Sequence, residues 1–392
     1  MEDERLERIS ACTLGRIFGY DPRTAKAIID NMGSARAVFA LSREELRVLT
    51  GPCSRILERL DARQQEESER LLDALGRMGY GFVPLTSPDY PPLLRECEDA
   101  PAGLYVRSGT PLREVFGERK AVAVVGTRDL SPYGREWCVR IVKALSKAKE
   151  KPVIVSGFAI GVDGVAHSSA LQFGLPTVGI LPTGIDDVYP RRHVPLASRM
   201  DATPGCALLT DFPPGTGPVA VNFLRRNRII AGLCGGTILV ESKVRGGGMM
   251  TARLASGYGR TVLALPGRVD DLRSGGCNLL LREKIAEPLT GTEMLAEALG
   301  LGQWQRRRSK DLGEEVRAVF SAGCPETMVA DLVRVALQIR AQRGISVEEI
   351  AGGTGLEVGS VLSLTGMLET EGFIKTDIFQ CCSIDPARLL VR

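Results

Sequence analysis

Histidine is nearly missing from this chain: 392 residues hold two, His167 and His193, and none of the ten cysteines stands in a C-x-x-C pair. The ligand spacings of a structural zinc site are therefore absent, and no metal is expected. The thiols are expected to be reduced and structural. No run of about 18 apolar residues occurs, and Met1-Glu2-Asp3-Glu4-Arg5 is the wrong start for a signal peptide. The expectation is a cytoplasmic protein with no membrane partner. Neither Ser156 nor Ser168 lies in a G-x-S-x-G elbow, and the neighbouring Asp186 and Asp187 point apart. A lone histidine such as His167 is more often packed than catalytic, so no catalytic set emerges. Gly126 and Gly134 are too far apart for the dinucleotide fingerprint, and no cofactor is expected.

What the chain does have is positive charge in one place. The net charge is +3, but residues 107–290 carry 25 basic and 15 acidic side chains, while the segments before and after are net acidic. This predicts a polyanionic partner for the middle segment alone, the plainer alternative being a solvated basic surface. With 44% hydrophobic content, the length allows one large core and one or two small ones.

The organisation follows the hydrophobic period. Residues 1–80 read as a small helical domain, with Ala25, Ile28 and Ile29 or Ile56, Leu57 and Leu60 at helical spacing. Turns at Tyr20-Asp21-Pro22 and Thr50-Gly51-Pro52 resemble those of helix-hairpin-helix or sterile-alpha-motif-like domains, and a generic helical bundle fits as well. A proline-rich bridge ends in Gly103-Leu104-Tyr105-Val106, read as an edge strand. Residues 81–300 then alternate strand and helix: 121–125, 153–157, 177–181, 207–209, 237–240 and 261–265 are apolar and β-branched, with helical stretches between most of them. Continuous apolar strands of this kind predict an α/β fold, a doubly wound, Rossmann-like parallel sheet covered on both faces.

The loops that leave these strands carry the chemistry. Gly126-Thr127-Arg128 follows the first strand, with Ser131 as cap and Pro132 opening a helix, a turn suited to phosphate. Ser156 and Gly157 let another group approach the second strand's end. The stretch 184–193 reads as a loop closing over the sheet. Phe223, Arg226, Asn227 and Arg228 bring an aromatic, arginines and an amide to a helix start, where they grip phosphates and stack a base or, alternatively, bridge to acidic loops. Lys243 and Arg245 precede the triple glycine 246–248, whose backbone amides suit an anion.

In this order the motifs G-T-R (126–128), S-G-x-A-x-G-V-D with Ala166-His167, G-x-D-x-x-Y-P (184–190) and R-N-R-I-I-A-G-L (226–233), with Pro266-Gly267, resemble the DprA or Smf family. The resemblance implies a protein that is not an enzyme, binds and protects incoming single-stranded DNA in natural transformation, and loads the recombinase RecA on it. It assigns the pocket to Gly126, Thr127 and Arg128, to Asn227 and Arg228, and to Lys243, Gly247 and Gly248. The chain departs from the family at Ile160, where arginine is frequent, at Leu224, where proline is common, and at Gly246-Gly247-Gly248-Met249 in place of S-G-S-L. A rival reading is enzymatic: Gly235-Gly236-Thr237 with Glu241 resembles part of the motif of the LOG-type nucleoside-monophosphate phosphoribohydrolases.

Residues 301–315 read as a charged linker and 316–392 as a winged-helix-like domain whose second helix, about 357–370, has no basic residue. Major-groove insertion would bring Glu357 and Glu369 to phosphates, so contact with protein is the expected role. The resemblance also implies a homodimer. Leu279, Leu280, Leu281 and Ile285 are its candidate surface, or else they cover their own sheet.

Overall fold

A computed structural model of the chain describes residues 2–42, 44–46, 59–301, 312–342, 344–377 and 381–385. The residues fall into two compact units, 1–303 and 304–392. The first is built on nine strands, β1 (Gly81–Pro84), β2 (Gly103–Arg107), β3 (Ala121–Val125), β4 (Val153–Ser156), β5 (Thr177–Ile180), β6 (Ala207–Thr210), β7 (Gly236–Leu239), β8 (Thr261–Ala264) and β9 (Glu287–Pro288). Their order across the sheet is β1-β2-β6-β5-β4-β3-β7-β8-β9. From β6 to β9 every pairing is parallel, whereas β2 runs antiparallel to both β6 and β1.

β3 shows why the sheet must be covered twice. All five of its residues are buried. Ala121, Ala123 and Val125 join the core on one face, and Val122 and Val124 the core on the other. The side chains alternate across the pleat, so a run without polar residues demands helices above and below. The chain winds from β3 outward through β4, β5 and β6, then returns to place β7 beside β3. At that reversal the loops after β3 and β7 are brought side by side, the place where open α/β sheets hold ligands.

Three expectations need correction, and one open alternative is decided. Gly103–Val106 lies inside the sheet, because β1, a four-residue segment bracketed by Gly81 and Pro84, adds itself outside. Among the described residues before 80 there is no separate core: Leu14, Phe18 and Leu75 pack in one cluster with Phe82, Leu94 and Tyr105. Leu280 is fully buried, and Leu279, Leu281 and Ile285 pack on that same cluster, so these residues cover their own sheet. Residues 312–315 open the helix Leu312–Phe320 rather than a linker. The turn at 50–52, Ile56 and Leu57, and 302–311 of the linker lie outside the described residues.

The second unit packs the helices Leu312–Phe320, Glu326–Ala341, Val347–Thr354 and Val358–Thr370 around its own cluster, with a small antiparallel sheet of Ile345–Ser346, Cys381–Ile384 and Ile374–Thr376. Ser346 and Glu349 form a reciprocal capping box that starts the third helix.

Candidate nucleic-acid interface

The loop after β3 is held by its neighbours. Thr127 donates its N–H to the Glu241 carbonyl at 2.7 Å, and its own carbonyl accepts from Val162 N. Gly126 has to be glycine: a Cβ there would stand 2.5 Å from Val162 Cγ2 and 2.7 Å from Glu241 O. Ser131 caps the helix Pro132–Leu145 by accepting from Gly134 N at 3.0 Å, while its own N–H and hydroxyl donate to the Glu241 carboxylate. Glu241, 1% exposed, is thus a clamp between the β3 and β7 loops. Of the enzyme-like G-G-T…E pattern, Gly236 and Thr237 are buried within β7 and the Glu241 carboxylate is taken up by Ser131.

Between these loops and the helix Ala220–Leu233 lies a cleft of about 690 Å³. Gly126, Thr127, Arg128, Phe223, Arg226, Asn227, Lys243, Gly247 and Gly248 all line it. No side chain caps the helix Gly247–Gly257, and Gly246, Gly247 and Gly248 at its start line the cleft, which brings the positive end of its dipole there. Asn227 Nδ2 donates to Gly247 O at 3.4 Å and ties that turn to the opposite wall. Arg128 is exposed, its guanidinium carbon 4.5 Å from the centre of the Phe223 ring, and the Tyr189 ring meets Phe223 edge-on with ring centres 5.6 Å apart. Lys243 and Arg245 are exposed at the same mouth.

The arginines of the helix Ala220–Leu233 have three destinations. Arg226, 3% exposed, drives its guanidinium beneath the cleft to the carbonyls of Gly157 and Ile180. Burial lowers its pKa to about 10, opposed by Asp163, and burial raises the Asp163 carboxyl. Arg228 turns away to Asp211 and the Asp99 carbonyl, with 8% and 7% of the ion-paired side chains exposed. Arg225 stacks over Tyr20 at 4.0 Å. Ser156 and Gly157 are buried outside the cleft wall: Ser156 Oγ donates to Val124 O at 2.6 Å, and a Cβ on Gly157 would strike the Arg226 guanidinium. Bridging to acidic groups is therefore what Arg228 does, while Arg226 is a floor rather than a free hand.

Tyr189, Asp163 and Arg245 also line the cleft. The 184–193 stretch pointed to Tyr189 only as part of a closing loop, and Asp163, the last residue of the S-G-x-A-x-G-V-D motif and read as a helix cap, lies in the first turn of the helix Val162–Gln172 and accepts from Ala159 N at 3.2 Å. His167 is packed: its Nδ1 lies 2.7 Å from Thr177 Oγ1, and burial lowers its pKa to about 3. Asp186 accepts from Gly215 N at 3.0 Å, and among the described residues no cluster of His, Cys, Asp or Glu is placed to hold a metal.

Residues 81–300 match the model of the family described as DNA recombination-mediator protein A. The chain belongs to that family. Protein Smf of Escherichia coli is 36% identical over 253 residues, which span 64% of this chain and 66% of that protein, just under two thirds of its length. The DNA processing protein DprA of Streptococcus pneumoniae is 37% identical over 208 residues, 53% of this chain and 71% of that one. The X-ray structure of DNA processing protein A from the same species superposes with a TM-score of 0.57 at 28% identity, covering 76% of this chain and 96% of that chain.

Proposed function

We propose that this chain binds single-stranded DNA in the cleft, protects it during natural transformation and loads the RecA recombinase on it. The observation that carries the reading is Arg128 over Phe223 in one cleft with Lys243, Arg245 and the uncapped start of the helix Gly247–Gly257. Cations and amides there suit phosphates, the aromatic suits a base face, and few groups are placed to read base edges. Membership of a recombination-mediator family supports the handover to a recombinase. We place the protein in the cytoplasm, as a homodimer that holds two strand segments. No helix among the described residues is long and apolar enough to cross a membrane.

Fluorescence anisotropy with oligothymidylate and with duplex of equal length tests the binding. Single strands are expected to bind more tightly, with a log–log salt slope of about −3, from roughly 0.7 per phosphate over about four contacts. Equal affinities or a flat salt response overturn the reading. Recombinase loading is tested by the lag of RecA filament growth on strand already coated by a single-strand-binding protein, which the chain should shorten. Release of free base from AMP would instead favour the enzyme.

A further inference from the structure

The helix Pro132–Leu145 starts three residues after Asp129, which lines the cleft, and is about 21 Å long at 1.5 Å per residue. Its inner face is core: Cys138, Ile141, Val142 and Leu145 are buried. Tyr133, Trp137, Arg140 and Ala144, followed by Lys147, share another stripe at helical spacing, on which Tyr133 and Arg140 are exposed and Trp137 and Ala144 partly buried. Tyr133 is 42% exposed, with its hydroxyl donating to Pro266 O at 2.9 Å, and its ring lies 6.3 Å from that of Trp137. Arg140 stands 5.6 Å from the Trp137 ring centre and pairs with Glu136. Beyond it the helix forms one wall of a groove of about 750 Å³, with Trp137, Arg140, Lys143 and Lys147 on that side and Thr292 and Glu293 opposite.

Across residues 132–151 six basic side chains face two acidic ones, Glu136 and Glu150, and both are in ion pairs. Lys143 and Lys147 are exposed and pair with no acid among the described residues. Lysines near a helix C-terminus complement the dipole, but that accounts for neither the partly buried indole at the edge of the groove nor the exposed Tyr133 beside it. Two neighbouring rings followed by cations along one stripe offer a single strand a surface to stack on while its phosphates are held.

We propose that this face is a second contact for single-stranded DNA, over which strand leaving the cleft continues, with Trp137 as a stacking platform and Lys143 and Lys147 on phosphates. The inference rests on the single-strand reading of the cleft. A strand of about six nucleotides fills the cleft alone, whereas a thirty-mer covers both surfaces.

The test uses the full chain with Trp304→Phe, which leaves Trp137 as the one indole. Oligothymidylate of six and of thirty nucleotides is titrated by anisotropy and by tryptophan emission. The thirty-mer is expected to quench Trp137, and the six-mer to bind without quenching. Lys143→Glu with Lys147→Glu should weaken the thirty-mer about tenfold and flatten its salt slope by about 1.4, leaving the six-mer unchanged. Both lysines are exposed, so a fold defect would show as a lowered melting temperature and equal loss for both lengths; Lys143→Gln with Lys147→Gln then repeats the comparison. A thirty-mer that leaves Trp137 emission unchanged, or that binds the charge-reversed variant like the parent, overturns the second contact. A six-mer that fails to bind the parent overturns the cleft reading instead.

Discussion

At the scale of single residues, charge counts only where it is free to meet a partner. Arg128 is exposed, at the mouth of the cleft beside a helix start, and Arg128→Ala is expected to cost about 2 kcal/mol of single-strand binding. Lys243→Ala, which removes a mobile point charge, should cost about half as much, and Arg192→Ala, exposed outside the cleft, least. Arg228→Ala behaves differently: it strands the buried Asp211 carboxylate and should lower unfolding stability by about 3 kcal/mol, read by urea denaturation. An Arg128→Ala protein that folds normally and binds oligothymidylate like the parent sinks the first-loop assignment. His167 supplies the pH dependence. Its folded pKa of about 3 lies below the ordinary 6.5, so the unfolded chain takes the proton first and stability falls with falling pH across that window. From pH 8 to 5 this amounts to about 2 kcal/mol. Buried Asp163, raised, works in the opposite direction, losing stability as pH climbs toward its folded value. The difference between parent and His167→Gln isolates the histidine: parallel stability curves for the two would refute it.

At the scale of elements, the site is a meeting of helix starts, and two adjacent glycines have different duties in it. A Cβ on Gly248 would stand 2.7 Å from Leu239 Cδ1 and 3.1 Å from Gly126 Cα, so the helix Gly247–Gly257 seats directly on the first loop. Gly248→Ala should cost about 1–3 kcal/mol of stability by forcing the two apart. Gly247 has open space where its Cβ would be. Gly247→Ala should fold within about 0.5 kcal/mol of the parent. It should nevertheless weaken oligothymidylate about tenfold, because the added methyl occupies the approach of phosphate to the uncapped amides. Melting curves and anisotropy on the pair check this; unimpaired binding by Gly247→Ala would move the phosphate to another turn.

At the scale of the whole molecule, one core spans the amino-terminal helices and the sheet, through Phe18, Leu94 and Tyr105, while residues after 303 keep a separate core. The cleft lies wholly within the first of these units. Leu280 is buried and its neighbours pack inward, so the proposed homodimer is expected to use another face than 279–285. Light scattering at low and at molar salt is expected to give a dimer at low salt. Loss of it at molar salt assigns the interface to charged residues, since apolar burial is not screened, and a monomer at both salts at micromolar concentration refutes the dimer.

The parallel strands, their order along the chain, the glycine-rich turns at their ends and the family were all legible in the sequence, because each rests on residues close together: β-branched runs, a Ser-Pro helix start, a triple glycine. Arg225, Arg226 and Arg228 show where that legibility stops. Successive helical positions turn by about 100°, so three nearby arginines point three ways, and only the packing of the helix Ala220–Leu233 against Tyr20, Asp163 and Asp211 settles which of them meets the cleft. The same holds for β1, too short to announce itself until β2 offers it an edge, and for Leu280, whose apolar side chain fits an interface or a core equally well until the sheet beneath it is in place. Local preference is written along the chain; the facing of a side chain is a property of what folds against it.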